Sequence, residues 1–282
     1  MNFLFLTIFQ SKIKIKKMST NRYPQRIVCL TEEGTEILYA IGEQHRLVGI
    51  SGFTYRPPEA RKEKPKVSTF LDAKFEEIID LKPDLVIGYS DLQADIAAEL
   101  IRRGINVFIF NHKTIDEILN MILQFTSLIG CQEKGLELIK KYETKLENIK
   151  QQASLLPYRP TVFFEEWDEP IISGSAWVND LIEIAGGKLA FPELKNKALA
   201  KDRILLDEQV IERNPEIIIG SWCGKMFKPE KVKQRLGFEN VKAVQQNHLY
   251  EIKSELILQP GPAALTDGLD ELVKIINFTI QS

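Results

Sequence analysis

Three histidines, His45, His112 and His248, and three cysteines, Cys29, Cys131 and Cys223, are the side chains best suited to hold a metal or act as a nucleophile. None of the histidines has a second histidine or a carboxylate at ligand spacing on one helix, so a metal centre would need all three to converge from distant positions. The cysteines form no CxxC pair and no disulfide framework. No G-x-G-x-x-G or G-x-x-x-x-G-K-[ST] follows a strand, so a phosphate cradle is missing. No G-x-S-x-G elbow is present either. What remains is binding chemistry. Phe53, Tyr55, Phe70, Tyr89, Trp167 and Trp222 all fall just after predicted strands or beside the loops that follow them. Aromatic walls there suit a large, flat, partly apolar ligand, although each ring taken singly could equally be core. His112 follows the apolar run Val107–Phe110, where open sheets place ligand contacts; a solvated loop histidine is the plainer account.

A second chemical signal lies in a repeat. Residues 75–88 read FEEIIDLKPDLVIG and residues 207–220 read DEQVIERNPEIIIG. At a constant offset of 132, five of fourteen positions are identical and six more are conservative. That offset is far longer than a solenoid period of roughly 20–50 residues; it implies two similar lobes with a cleft between them. Glu76 and Glu208 take the same place in the two copies. Each opens a helix, where the dipole favours a carboxylate. Two equivalent lobes would also present them on one outer face, as a pair able to dock on a partner's arginines.

The elements that position these residues read as follows. Short continuous apolar runs at 27–30, 47–51, 85–88, 107–110, 161–164, 217–220 and 249–252 predict strands buried on both faces of parallel sheets. Helices are expected at 36–41, 75–81, 94–103, 114–129, 179–185, 208–213 and 265–279, with 31–35 a turn and 56–66 a loop. Residues 132–156 have apolar positions at helical spacing and no breaker before Pro157. They predict one long helix, a stiff connector at ~1.5 Å per residue. The fold class is therefore α/β: two Rossmann-like lobes with mostly parallel sheets, joined by one long helix, with a ligand cleft between them. The expected divisions are a tail or misassigned start at 1–23, a first lobe at 24–130, the connector at 131–157 and a second lobe at 158–282.

The chain has 282 residues, 44% of them hydrophobic, and a net charge of −2. It can bury sizeable cores and has no electrostatic pull toward nucleic acid or an anionic membrane. At the N-terminus the apolar run Asn2–Phe9 precedes Lys12, Lys14, Lys16 and Lys17. A secretory signal has the reverse order, and the run is short of the ~20 residues that span a bilayer. Met18 is an alternative start. On this reading the cytoplasm is favoured over a periplasmic or membrane-associated location, without membrane insertion.

Together RIVCLTEEGTEILYAIG (26–42), YRPPEA (55–60), KVSTF (66–70), the first repeat copy, AGG (185–187) and QPGPAALTDGLDEL (259–272) carry a resemblance. The chain resembles the substrate-binding proteins of ABC importers for cobalamin and iron–siderophore complexes, the class with a rigid interlobe helix. The segments 165–187 and SWCGKMF (221–227) look like a leaderless subgroup loosely described as cobalamin-binding. The resemblance implies a non-enzymatic binder, with Glu76 and Glu208 docking on arginine pockets of a permease and Phe70 facing the ligand. It implies no intrinsic cofactor; cobalamin or a related tetrapyrrole would be bound as cargo. Cys223, or else His112, could then be an axial ligand to cobalt or haem iron, though a strand-end cysteine is more often a small buried hydrophobe. The chain departs from cobalamin-binding members at Phe70 and Asp202, where tryptophans are usual, and at Glu32 and Glu33, in a stretch commonly small and neutral; Glu32 is accordingly expected among the ligand-binding residues with the six aromatic residues. Three functions compete: capture of a metal chelate for an importer, by a monomer; a cytoplasmic carrier of the same fold without a permease; and an enzyme or metallochaperone using Cys223 and His112.

Overall fold

The structure, a computed structural model, describes residues 22–282. The apolar run, the lysine cluster and Met18 lie outside the described residues. In the first lobe the elements are β1 (Ile27–Cys29), α1 (Glu32–Ala40), β2 (Leu47–Ser51), α2 (Pro58–Glu63), β3 (Lys66–Ser68), α3 (Phe75–Asp80), β4 (Leu85–Tyr89), α4 (Ala94–Arg102), β5 (Val107–Phe110) and α5 (Ile115–Leu128). Then comes α6 (Gln132–Ala153). The second lobe holds β6 (Thr161–Asp168), β7 (Ile171–Ser173), α7 (Ala176–Ile184), β8 (Lys188–Leu189), β9 (Ile204–Leu205), α8 (Asp207–Arg213), β10 (Ile217–Gly220), α9 (Pro229–Lys233), α10 (Lys242–Gln245) and β11 (Leu249–Glu251). The chain closes with α11 (Ser254–Ile257), a π turn at Ala264–Gly268 and α12 (Leu269–Gln281).

The first sheet has the order β3-β2-β1-β4-β5, with every pair parallel. Its strand order reverses between β1 and β4, which makes a switch point above the carboxyl ends of the two central strands. The second sheet has the order β11-β10-β6-β7-β9, with β8 also pairing β6. Its β10 runs parallel to β6 and β11, whereas β7 runs antiparallel to both β6 and β9. This mixed edge was not legible as apolar runs, because β7, β8 and β9 are only two or three residues long.

Both faces of the central strands are buried. Ile27 and Cys29 face one apolar cluster while Val28 and Leu30 face another. In β10, Ile217 and Ile219 join the first of these clusters and Ile218 joins a third. The first cluster runs from the inner sheet of one lobe through Phe125, Leu138 and Leu146 to Val162 and Ile217 of the other. Thus α6 is packed rather than free-standing: it lies along α5 and also touches α7.

Two local expectations are corrected. The turn expected at 31–35 is the first part of α1, which begins at Glu32 with Gly34 inside it. A Cβ at Gly34 would sit 3.0 Å from Cys29 Sγ, so glycine lets this helix lie close on β1. The loop expected at 56–66 contains α2, opened by Pro58 in its first turn, and ends in the edge strand β3. Proline suits that position because its missing N–H would have no helical partner there.

The tightest helix crossing is between α5 and α6. Thr126 Oγ1 bonds back to Ile122 O at 2.7 Å, and a Cβ at Gly135 would collide with that side chain. Gly135→Ala should therefore destabilise the fold by ~1–3 kcal/mol through overpacking. Adding Thr126→Ala should recover part of that loss. Urea unfolding of the single and double variants measures both effects.

Candidate functional site

The ends of β1 and β4 meet at the switch point, and α1 begins there. Its first residues, Glu32 and Glu33, are only 2% and 3% exposed. The backbone N–H of Tyr55, from the loop after β2, donates to Glu32. Oε2 of Glu32 and both carboxylate oxygens of Glu33 lack a hydrogen-bond partner. Glu33 lines an enclosed hollow together with Thr31, Tyr89 and His112; with roughly 10 Å³ inside, it has room for about one water. One turn on, Glu36 accepts from Arg56 Nε at 3.2 Å and from the Ala263 backbone N–H at 2.7 Å.

Electrostatics follow from this burial. Desolvation, reinforced by the charges of Glu33 and Glu36, pushes Glu32 up from 4.5 to about 9. Desolvation also lifts Glu33 to about 7, and lifts Glu36 to about 7 against the pull of Arg56. The helix N-terminus favours the anions by up to ~2 kcal/mol, and here the loss of water outweighs it. His112 is buried, with Nε2 2.7 Å from Pro260 O and Nδ1 unpartnered. Burial pushes it down from 6.5 to about 4, so the ring is neutral near pH 7 and Nε2 carries the donating proton.

The second lobe answers differently. Its central strand β6 also ends in carboxylates, but each has a cation. Glu165, fully buried, takes a two-pronged bond from Arg235 at 2.6 and 2.8 Å. Glu166 takes one from Arg203 at 2.9 and 3.2 Å and another from Ser175 Oγ at 2.5 Å. Asp168 pairs with Lys225 and Lys231. Two groups register the charge of both lobes. The Cys223 thiol is raised by partial desolvation and by the charges of Glu166 and Glu32. The Tyr89 hydroxyl is raised by burial, Glu33 and Glu166. The two central strand ends therefore face one another.

The aromatic residues divide between this edge and the core. Phe53 and Phe70 stack at 5.3 Å with an interplanar angle of 22°, and both keep exposed surface. Tyr55 is exposed, with the Arg61 guanidinium 4.7 Å from its ring centre. Tyr89 packs against His112 at 4.8 Å. Trp167 is half-buried, donates to Glu169 O at 2.9 Å and carries Lys225 Nζ 4.0 Å over its ring. Trp222 is the exception: it is 2% exposed, donates to Glu165 Oε1 at 2.9 Å and packs edge-on to Phe227 in the second lobe's core. Its expected place on the wall is corrected, because the buried Glu165 needs the indole N–H as a partner.

Cys223 is exposed, whereas both nitrogens of His112 are withdrawn, one bonded to Pro260 and the other buried. Among the described residues no three His, Cys, Asp or Glu side chains converge to hold a metal ion. Glu76 is exposed and bonds Arg103 Nη1 at 2.6 Å. Glu208 is exposed and without a partner. A hollow of about 640 Å³ lies elsewhere, beside α6 between α5 and α7, among charges such as Asp180, Glu183 and Lys195 that already pair with one another. Sequence reasoning passed over Glu36, Arg203, Arg235 and the crossing segment at Pro260. The spacing of Glu32, Glu33 and Glu36 ahead of the apolar run that begins at Ile37 was the signal available for the first.

A pH dependence follows. The fold favours the neutral forms of Glu32, Glu33 and Glu36, while the unfolded chain ionises them near 4.5. Their contribution is fully present below that value and is lost as pH rises through about 7 and then about 9. His112 acts oppositely, its contribution being lost as pH falls from 6.5 toward 4. The melting temperature should therefore fall between about pH 4.5 and 9, and Glu33→Gln should flatten the part of that fall below about 7, at about 2–4 °C per kcal/mol. Melting curves of both proteins across this range provide the check.

Comparison with known proteins places the chain. A vitamin B12-binding protein of Vibrio parahaemolyticus is 27% identical over 274 residues, covering 93% of this chain and 92% of its own. An ABC transporter substrate-binding lipoprotein of Bacillus subtilis is 26% identical over 268 residues, covering 92% of this chain and 82% of its own. Among solved structures, a possible iron-binding periplasmic solute-binding protein of Staphylococcus epidermidis superposes with a TM-score of 0.78 at 24% identity, over 90% of this chain and 98% of that one. Residues 27–256 match the family described as periplasmic binding protein, and with two sheets whose central strand ends face each other, the chain belongs to that family.

Proposed function

We propose that this protein captures a metal-chelate ligand of corrinoid, haem or siderophore type and delivers it to an ABC importer. The observation that carries the reading is the set of part-exposed rings on the facing strand ends, Phe53, Tyr55 and Phe70 on one lobe and Trp167 on the other. Two walls of aromatic surface suit the flat faces of a macrocycle. The relatives point the same way, one named for vitamin B12 and one as an ABC transporter lipoprotein. The ligand is cargo and the protein acts without catalysis, as a single chain. Those relatives favour a place outside the cytoplasm. Nothing in them favours a cytoplasmic carrier without a permease. Among the described residues no helix is long and apolar enough to cross a membrane.

Glu76 and Glu208 are the proposed docking pair for permease arginines. Both are exposed, and each stands in the first turn of its helix.

Titration with cyanocobalamin, followed by tryptophan quenching, should give saturable binding at micromolar concentration or tighter. Trp167→Ala or Phe70→Ala should weaken it by about tenfold, equivalent to 1.4 kcal/mol. Absence of binding to cyanocobalamin, haem and ferric hydroxamates alike would overturn the reading. Separately, Glu76→Ala combined with Glu208→Ala should abolish most uptake into vesicles carrying the permease while leaving ligand affinity unchanged. Undiminished uptake would remove the docking role.

A further inference from the structure

The two facing strand ends differ in how their carboxylates are satisfied. On β6 every carboxylate has its own cation, Arg235 for Glu165, Arg203 for Glu166 and Lys225 for Asp168. At the head of α1 three carboxyl groups share one cation, Arg56, which reaches Glu36 alone and is also held by Asp267. Glu32 has one backbone donor, and Glu33 has only the Thr31 hydroxyl and its own N–H beside it, with no cation on either. Buried carboxylates are ordinarily paired. Here three acids stand at the switch point of the first sheet, where an open α/β sheet meets its ligand, and among the described residues no cation bonds Glu32 or Glu33.

We propose that the ligand supplies that charge: the cleft selects a chelate bearing a positive centre, a cationic metal complex or an ammonium group, and seats it over Glu32 and Glu33. This rests on the reading of the cleft as a chelate site and narrows it. A chelate carrying carboxylates, such as haem with its two propionates, meets an opposing field. A neutral chelate gains only from the aromatic walls.

Groups facing the acids from each neighbouring element fit this assignment. On α1 itself the neighbours are Glu33 and Glu36, both acidic. From the loop after β2 come the Tyr55 N–H and Arg56. From α11 comes Glu255, which adds negative charge, and from the loop after β10 comes Cys223. Tyr89 and His112, the latter neutral, flank Glu33 in the hollow. Among the described residues Arg56 is thus the one cation that bonds these acids; Arg61, over the Tyr55 ring, is held instead by Gly52 O and Thr54 O. Because desolvation holds Glu32 mostly protonated near neutrality, a bound cation would draw the proton off and release it to solvent. Affinity for a cation then increases with pH, and affinity for a neutral chelate does not.

Matched pairs test this on the full chain. Ferrioxamine B carries one positive charge on a free ammonium, and its N-acetylated form is neutral. Aquacobalamin is a cation and cyanocobalamin is neutral; this pair is measured in a Cys223→Ser background, so that thiol ligation cannot contribute. The cationic member of whichever pair binds should bind about tenfold or more tightly, the scale of one charge pair across roughly 8 Å at an effective dielectric near 20. Affinity for ferrioxamine B should also rise between about pH 6 and 8. Glu32→Gln and Glu33→Gln, each close in shape to the neutral acid it replaces, should each reduce the charge preference. Binding of the neutral members should be retained. Equal affinity within the pairs, or a preference untouched by both substitutions, overturns the cationic assignment and leaves the chelate site standing. Failure of all four compounds to bind overturns the cationic assignment, and failure of haem to bind as well overturns the chelate site.

Discussion

The arrangement of the whole molecule depends on how the C-terminal return is tied to the first lobe. After β11 the chain passes back beneath the first helix. The Ala263 N–H donates to the Glu36 carboxyl, Pro260 O meets His112, and Arg56 bridges to Asp267. Lys145 of the long helix holds Thr266 O at 3.1 Å and Asp270 at 2.7 Å on the same return. A Cβ at Gly261 would lie 2.7 Å from Glu33 Cγ, so the backbone approaches α1 closely. These contacts join residues more than 200 positions apart in the case of Glu36 and Ala263. They are buried in part, so they hold well in a low-dielectric setting, and they fix which strand ends face which.

That closeness also accounts for the electrostatic character of the site. Packing the return over α1 removes water from Glu32, Glu33 and Glu36, and it is this loss that raises all three acids. The same contact keeps His112 neutral. One structural decision therefore sets both the rigidity of the lobe junction and the charge state of the surface a ligand meets. On the opposite side, Trp222 shows the reverse economy. A residue of binding-wall type is withdrawn into the core because Glu165 is buried and needs its N–H.

Much of this was legible in the sequence. The parallel strands, the long helix and the two-lobed plan follow from runs such as Val107–Phe110 and from the repeat around Pro83 and Pro215, because those signals are local. Five of the six aromatic residues keep some exposed surface near the strand ends, Tyr89 among them, lying against His112. What could not be read was anything set by long-range packing. The two-residue strands carry no periodicity. Trp222 follows β10 whereas Trp167 lies within β6, whose extension to Asp168 carries no apolar signal, and Trp222 alone bonds the buried Glu165. Glu32 and Glu33 look like ordinary first-turn acids until the return segment covers them. The sequence reading also favoured the cytoplasm, which the named relatives do not support.

The two repeat glutamates, equivalent in sequence, are not equivalent in the folded protein. Glu76 is engaged by Arg103, itself held by Glu99 and lying over the Phe75 ring, while Glu208 is free. A pseudo-symmetric molecule approaching a two-fold partner could land in either of two orientations. In the proposed docking, Glu208 would be open to a partner's arginine directly, whereas Glu76 would first have to leave Arg103. An exposed ion pair is worth only about 0–1 kcal/mol, so the exchange is inexpensive. The two lobes thus differ in what each would release before docking, not in whether it could dock.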